Sequence, residues 1–189
     1  MSALPEETLI ALAKKYAAQA GVPASMIYAM IQAESTGHPD VVHGKTGARG
    51  LMQLMGPAAE EMGHTFEDML DPDKNVRAGA GYIGKMLHRF KDPGRALSAY
   101  NSGPGATRKV EDVTPASSKY VSRVADLVGD VTQPGQPFED EMSDVPLPAQ
   151  TLQRQKVRQT IDDLLAREEQ QPYTDAGIRR MLSQFNFNQ

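Results

Sequence analysis

The chain has 189 residues, no cysteine and few aromatic side chains, which suits one domain with extra elements and excludes disulfides and thiolate–zinc sites. Its formal charge of −4 is unevenly placed: residues 1–129 carry 14 basic and 14 acidic side chains, residues 130–189 carry 6 and 10. A neutral front and an acidic tail lack the clustered Lys and Arg of nucleic-acid binders, so no nucleic-acid partner is expected. His38, His43, His64 and His88 match no zinc-ligand spacing, and neither a metal nor another cofactor is expected. The opening MSALPEETLIALAKKY has acids where a secretory signal has basic residues. No run approaches the roughly 18 apolar residues of a membrane span.

In chain order, residues 5–20 read as a helix that begins at Pro5 and ends at Gly21. Pro23 opens a second helix, in which Ile27, Met30, Ile31 and Glu34 fall at i, i+3, i+4 and i+7, so an acid continues an apolar stripe. A desolvated carboxyl has a raised pKa and can serve as a general acid near neutrality. Periodicity alone favours the plainer reading, a boundary glutamate whose head reaches water.

Gly37, Pro39, Gly44, Gly47 and Gly50 make residues 36–50 a loop or a short irregular excursion, long enough to fold over a groove. A short helix follows Pro57 and closes at Gly63. Asp71-Pro72 supplies an N-cap and first turn for a helix to about Phe90, where Gly79, Gly81 and Gly84 either weaken it or admit a close neighbour. Asp92-Pro93-Gly94 reads as a turn, residues 95–101 as a short helix, and residues 117–128 as another. From Asp130 to Gln150 prolines stand at 134, 137, 146 and 148 with five acids and no base, the composition of a linker. Residues 151–169 and those after Thr174 return to amphipathic helix. The expected architecture is all-α: a domain at 1–129, a linker at 130–150 and a helical docking or assembly segment at 151–189.

Three stretches in order, Glu34-Ser35, Gly50-Leu51-Met52-Gln53-Leu54-Met55 and Ala99-Tyr100-Asn101-Ser102-Gly103-Pro104-Gly105, resemble the motifs of the soluble-type lytic transglycosylases. Asn75-Val76-Arg77-Ala78-Gly79 and Tyr120-Val121 resemble segments between and after them, so the likeness spans roughly residues 10–128. It implies a lysozyme-like fold and cleavage of the β-1,4 bond between N-acetylmuramic acid and N-acetylglucosamine in peptidoglycan, with a 1,6-anhydro-muramoyl product. Glu34 is then the sole catalytic acid. By the same resemblance Ser35 bonds near the acid and the muramoyl N-acetyl group, and Met52 and Gln53 line the groove. Tyr100 and Asn101 floor the site, and the Tyr120 hydroxyl faces the reacting centre. Gly37 stands where an aromatic is usual, which implies an open groove wall. Gly56-Pro57-Ala58 and Ser102 also depart from the pattern. A hydrolytic muramidase and a non-catalytic wall-binding or virion module are the rival readings. The resemblance without an export signal points to a bacteriophage virion protein that opens the wall during genome ejection, with virion proteins or a second copy as partners of 151–189.

Overall fold

The computed structural model describes residues 2–106, 115–131 and 136–138. Helix α1 (Glu6–Ala20) carries Glu6 and Glu7 in its first turn, where acids favour the helix dipole, and ends at Gly21 in the left-handed conformation. Helix α2 (Ala24–Ser35) is buried at every position from Ala24 to Ile31, so the second helix is the axis of the core. Helix α3 (Gly56–Glu61) is short, and a 3₁₀ turn at Glu67–Leu70, which the pattern did not announce, leads into the next helix. The Asp71 side chain accepts from the Lys74 N–H and caps α4 (Pro72–Phe90). Asp92 does the same for Arg95 at 2.6 Å, so α5 (Pro93–Ser102) starts within what reads as a turn. The same Asp-Pro pair serves both helices: the aspartate satisfies a free N–H and proline needs none. Helix α6 (Pro115–Val131) completes the set.

Among the described residues α1 packs on α2, α2 on α6, α6 on α5, α5 on α4, and α4 returns to α1. This closed ring buries Leu9, Ile27, Met30, Ile31, Ile83, Met86 and Val124 in one core. Gly84 admits the α1–α4 contact, since a Cβ there would lie 2.3 Å from the Ala20 carbonyl oxygen. Between α2 and α3 the chain leaves helix and makes two antiparallel bridges, Val42 with Arg49 and Arg49 with Leu54. The resulting hairpin is the excursion expected at 36–50. No helix among the described residues is long and apolar enough to cross a membrane.

The packed part of the domain extends beyond residue 129. Phe138 is 2% exposed, its ring lies 5.5 Å from that of Tyr28, and the Lys14 ammonium sits 5.3 Å from its centroid. A proline-rich stretch reads as solvated, yet a single large apolar side chain can anchor it to the core. Residues 139–189, with the rest of the expected linker and both tail helices, lie outside the described residues.

Candidate active site

Glu34 stands in the last turn of α2, one turn beyond Met30 and Ile31, both fully buried. Burial raises its pKa from the ordinary 4.5 to about 7; the Tyr120 hydroxyl and the Arg123 charge oppose that rise without cancelling it. The negative end of the helix dipole acts in the same direction as burial. The folded chain thus binds this proton more tightly than the unfolded chain, and stability falls as pH rises between those two values. Tyr120 lies behind the acid. Its buried hydroxyl is close enough to the Glu34 carboxyl for each to shift the other's proton affinity. Arg123, one turn further along α6, places Nη2 3.5 Å from the Gln32 carbonyl and so borders the exposed end of α2.

The segment 49–54 beside the acid is held by side chains from four directions. From α2, the Ser35 hydroxyl donates to the Leu51 carbonyl at 2.9 Å, with the Ile31 carbonyl at 3.2 Å. From α4, the buried Asn75 accepts from the Met52 N–H at 2.8 Å and donates to the Arg49 and Met69 carbonyls at 2.9 Å each. From α5, the Tyr100 hydroxyl donates to the Met52 carbonyl at 2.8 Å. Within the segment, Gln53 adopts φ +48 and its Nε2 donates to the Val41 and Gly50 carbonyls. Left-handed backbone at a non-glycine residue is strained, and these bonds offset the cost. Two glycines make the approach possible: a Cβ at Gly50 would lie 2.1 Å from the Met69 carbonyl oxygen, and one at Gly79 would strike the Met52 side chain.

A groove of about 520 Å³ opens in front of Glu34. The hairpin contributes His43, Thr46 and Ala48, the segment after it Gln53 and Leu54, α4 Tyr82, and the end of α5 Tyr100, Asn101 and Ser102. Four of the expected site residues therefore meet here: Glu34, Gln53, Tyr100 and Asn101. Gln53 commits both amide hydrogens to backbone carbonyls, which leaves its Oε1 as an acceptor for a ligand hydroxyl. Tyr100 packs on Tyr82 with centroids 5.6 Å apart, and burial next to the Glu34 charge pushes its phenol pKa well up.

Ser35 and Met52 are placed differently from expectation. The Ser35 hydroxyl faces the Leu51 backbone, and Met52 is fully buried against Gly79, so neither lines the groove and both brace it from behind. Gly37 is buried too: its neighbours are Leu9, Ala3 and Leu4, which makes it part of the packing against the start of α1 and keeps it out of the groove lining. Sequence reasoning assigned no role to Asn75 or Tyr82. The signal for Asn75 was its place one turn before Gly79, a polar residue and a gap on the same face of α4. Among the described residues no cluster of His, Asp and Glu could hold a metal ion.

The family model of the transglycosylase SLT domain matches residues 11–122. The chain belongs to that family. It is 39% identical over 109 residues to membrane-bound lytic murein transglycosylase F of Desulfosudis oleivorans, a match covering 54% of this chain and 23% of that protein. It is 37% identical over 86 residues to the transglycosylase of Enterobacteria phage PRD1, covering 46% of this chain and 31% of that one. Among solved structures, the 70-kDa soluble lytic transglycosylase of Escherichia coli superposes with a TM-score of 0.60 at 25% identity, over 74% of this chain and 26% of that chain. Lytic transglycosylase Slt of Pseudomonas aeruginosa gives 0.59 at 28% identity, over 65% and 24%. The chain thus spans about a quarter of the length of the first of these relatives.

Within this SLT domain Asn75 carries the largest polar load of any single side chain bracing the groove. Asn75→Asp keeps the size but turns a carboxylate oxygen toward the Arg49 and Met69 carbonyls, so urea unfolding is expected to show a loss of about 3 kcal/mol or more at pH 7. An unchanged midpoint would mean that the segment 49–54 holds its shape without the clamp.

Proposed function

We propose that the chain is a peptidoglycan lytic transglycosylase that cleaves the β-1,4 bond between N-acetylmuramic acid and N-acetylglucosamine and leaves a 1,6-anhydro-muramoyl end. The observation that carries this reading is Glu34: among the described groove residues it is the one carboxyl group, and its pKa is raised to about 7. Glycosidases that use water or a covalent intermediate pair two carboxylates across the scissile bond. A site with a single acid suits a reaction whose nucleophile belongs to the substrate.

In that reaction the Glu34 carboxylic acid donates its proton to the glycosidic oxygen as the C1–O bond breaks, and the N-acetylglucosamine leaves as an alcohol. The resulting carboxylate takes the proton of the muramoyl C6 hydroxyl while O6 bonds to C1. The acid is regenerated and no water is consumed. A group with a pKa of about 7 is populated in both forms at neutral pH and serves either half. Gln53 Oε1 and the Asn101 amide offer polar contacts for sugar hydroxyls. Tyr100 and Tyr120 add hydroxyls near the acid.

Digestion of purified sacculi followed by mass spectrometry tests this directly. The expected products end in 1,6-anhydro-N-acetylmuramic acid, and Glu34→Gln lowers the rate at least about a thousandfold, the loss of a general acid compounded by loss of the base. Reducing muramoyl ends would mark the chain as a hydrolytic muramidase instead. Equal clearing by Glu34→Gln would remove the assignment of the acid.

We further propose that the enzyme travels in a bacteriophage particle and opens the wall locally during genome entry. Support comes from the likeness to the phage PRD1 transglycosylase and from the acidic, proline-rich stretch that joins the domain to the C-terminal segment. A chain ending after Phe138 is expected to clear peptidoglycan at the parental rate yet be missing from purified particles by immunoblot. Its presence there in parental amounts would rule out docking through residues 139–189.

A further inference from the structure

His43 belongs to the groove but to none of the roles described so far. It stands on the first arm of the hairpin, where its N–H donates to the Ala48 carbonyl at 2.8 Å and its carbonyl accepts from the Gly47 N–H at 2.7 Å. The tight turn between brings Thr46 back onto the imidazole. The Thr46 backbone N–H donates to His43 Nδ1 at 3.3 Å, and Thr46 Oγ1 lies 3.0 Å from the same nitrogen. That hydroxyl oxygen also accepts from the Ala48 N–H, which ties the turn together around the ring.

These contacts decide the tautomer. A backbone N–H can only donate, so Nδ1 is an acceptor, and a neutral imidazole must then carry its proton on Nε2. Among the described residues Nε2–H has no hydrogen-bond partner, while the side chain lines the groove along with Glu34, Gln53 and Tyr100. The hairpin thus brings an N–H donor to the groove lining. Its complement is an oxygen acceptor on a neutral ligand, the hydroxyl, ring or amide carbonyl oxygen of an acetylated sugar.

We propose that His43 is a further substrate-contact residue, an imidazole held at Nδ1 by Thr46 whose Nε2–H donates to an acceptor oxygen of the glycan strand. This rests on the groove being the glycan site. It adds a contact from the hairpin to those from α2 and α5, and its loss is felt in binding, since the ring takes no part in the proton transfers at Glu34.

The test uses the full chain carrying Glu34→Gln, so that a tetrasaccharide of alternating N-acetylglucosamine and N-acetylmuramic acid binds without being cut, with affinity read by calorimetry. His43→Phe keeps the ring and removes the donor, and is expected to weaken binding about three- to tenfold, the worth of one neutral hydrogen bond. His43→Gln restores an N–H near the same place and should recover most of that loss. Nitrogen-15 spectra of the imidazole in the unsubstituted chain are expected to show protonated Nε2 and bare Nδ1, an observation independent of any variant's folding. Unchanged affinity in His43→Phe, equal loss in His43→Gln, or a proton on Nδ1 would each overturn the proposal. If the tetrasaccharide binds and His43→Phe weakens it while the parent releases no anhydro product, the reaction assigned above fails and the His43 contact stands. Absence of binding by the Glu34→Gln chain overturns both.

Discussion

A carboxyl group that has lost most of its water will not stay at the edge of an open groove unless everything around it is fixed. Glu34 meets that condition because α2 is buried on all sides up to Ile31, so the helix that carries the acid cannot tilt without disturbing the core. Within the ring of α1, α2, α6, α5 and α4, this helix is packed between α1 and α6. Helices α6 and α5 supply Tyr120 and Tyr100, both partly buried and both sensitive to the acid's charge. The raised pKa is therefore a property of the whole arrangement: the desolvation that makes Glu34 a usable acid also costs the folded state stability above neutrality.

The same constraint explains the polar economy of the segment 49–54. An irregular chain pressed against a core must place every N–H and C=O, or lose more than it gains by packing. Asn75, Ser35, Tyr100 and the Gln53 amide do this through direct protein–protein hydrogen bonds. The bonds that satisfy the backbone also set the groove. Tyr100 serves both purposes, since its ring lines the cavity and its hydroxyl holds the Met52 carbonyl. The strained backbone at Gln53 is where the segment brings a side-chain amide into the groove lining.

Much of this was legible from residues alone. Helix starts followed from Pro5, Pro23 and Asp71-Pro72, and the acid at i+7 of an apolar stripe proved to be the one at the groove. What could not be read was direction. Ser35 and Met52 lie within recognised motifs, yet a hydroxyl and a thioether in a motif can face ligand or protein, and only the packing of segment 49–54 against α2 and α4 decides. Gly37 was read as a missing wall because sequence spacing does not reveal that Leu9 fills the space behind it. Phe138 was hidden by its neighbours: composition averages over a window, whereas burial acts on one side chain. His43 needed the turn geometry that brings Thr46 to Nδ1, which spacing suggests but does not specify.

The proposed reaction needs one acid to serve as donor and then acceptor, and that requires its proton to be balanced near neutral pH. Labelling glutamate with carbon-13 at the carboxyl, assigning the resonance that Glu34→Gln removes, and following it from pH 3 to pH 9 measures this directly. The expected midpoint is about 7. A midpoint close to the ordinary 4.5 would show a carboxyl exposed to water, already ionised where the reaction needs it protonated.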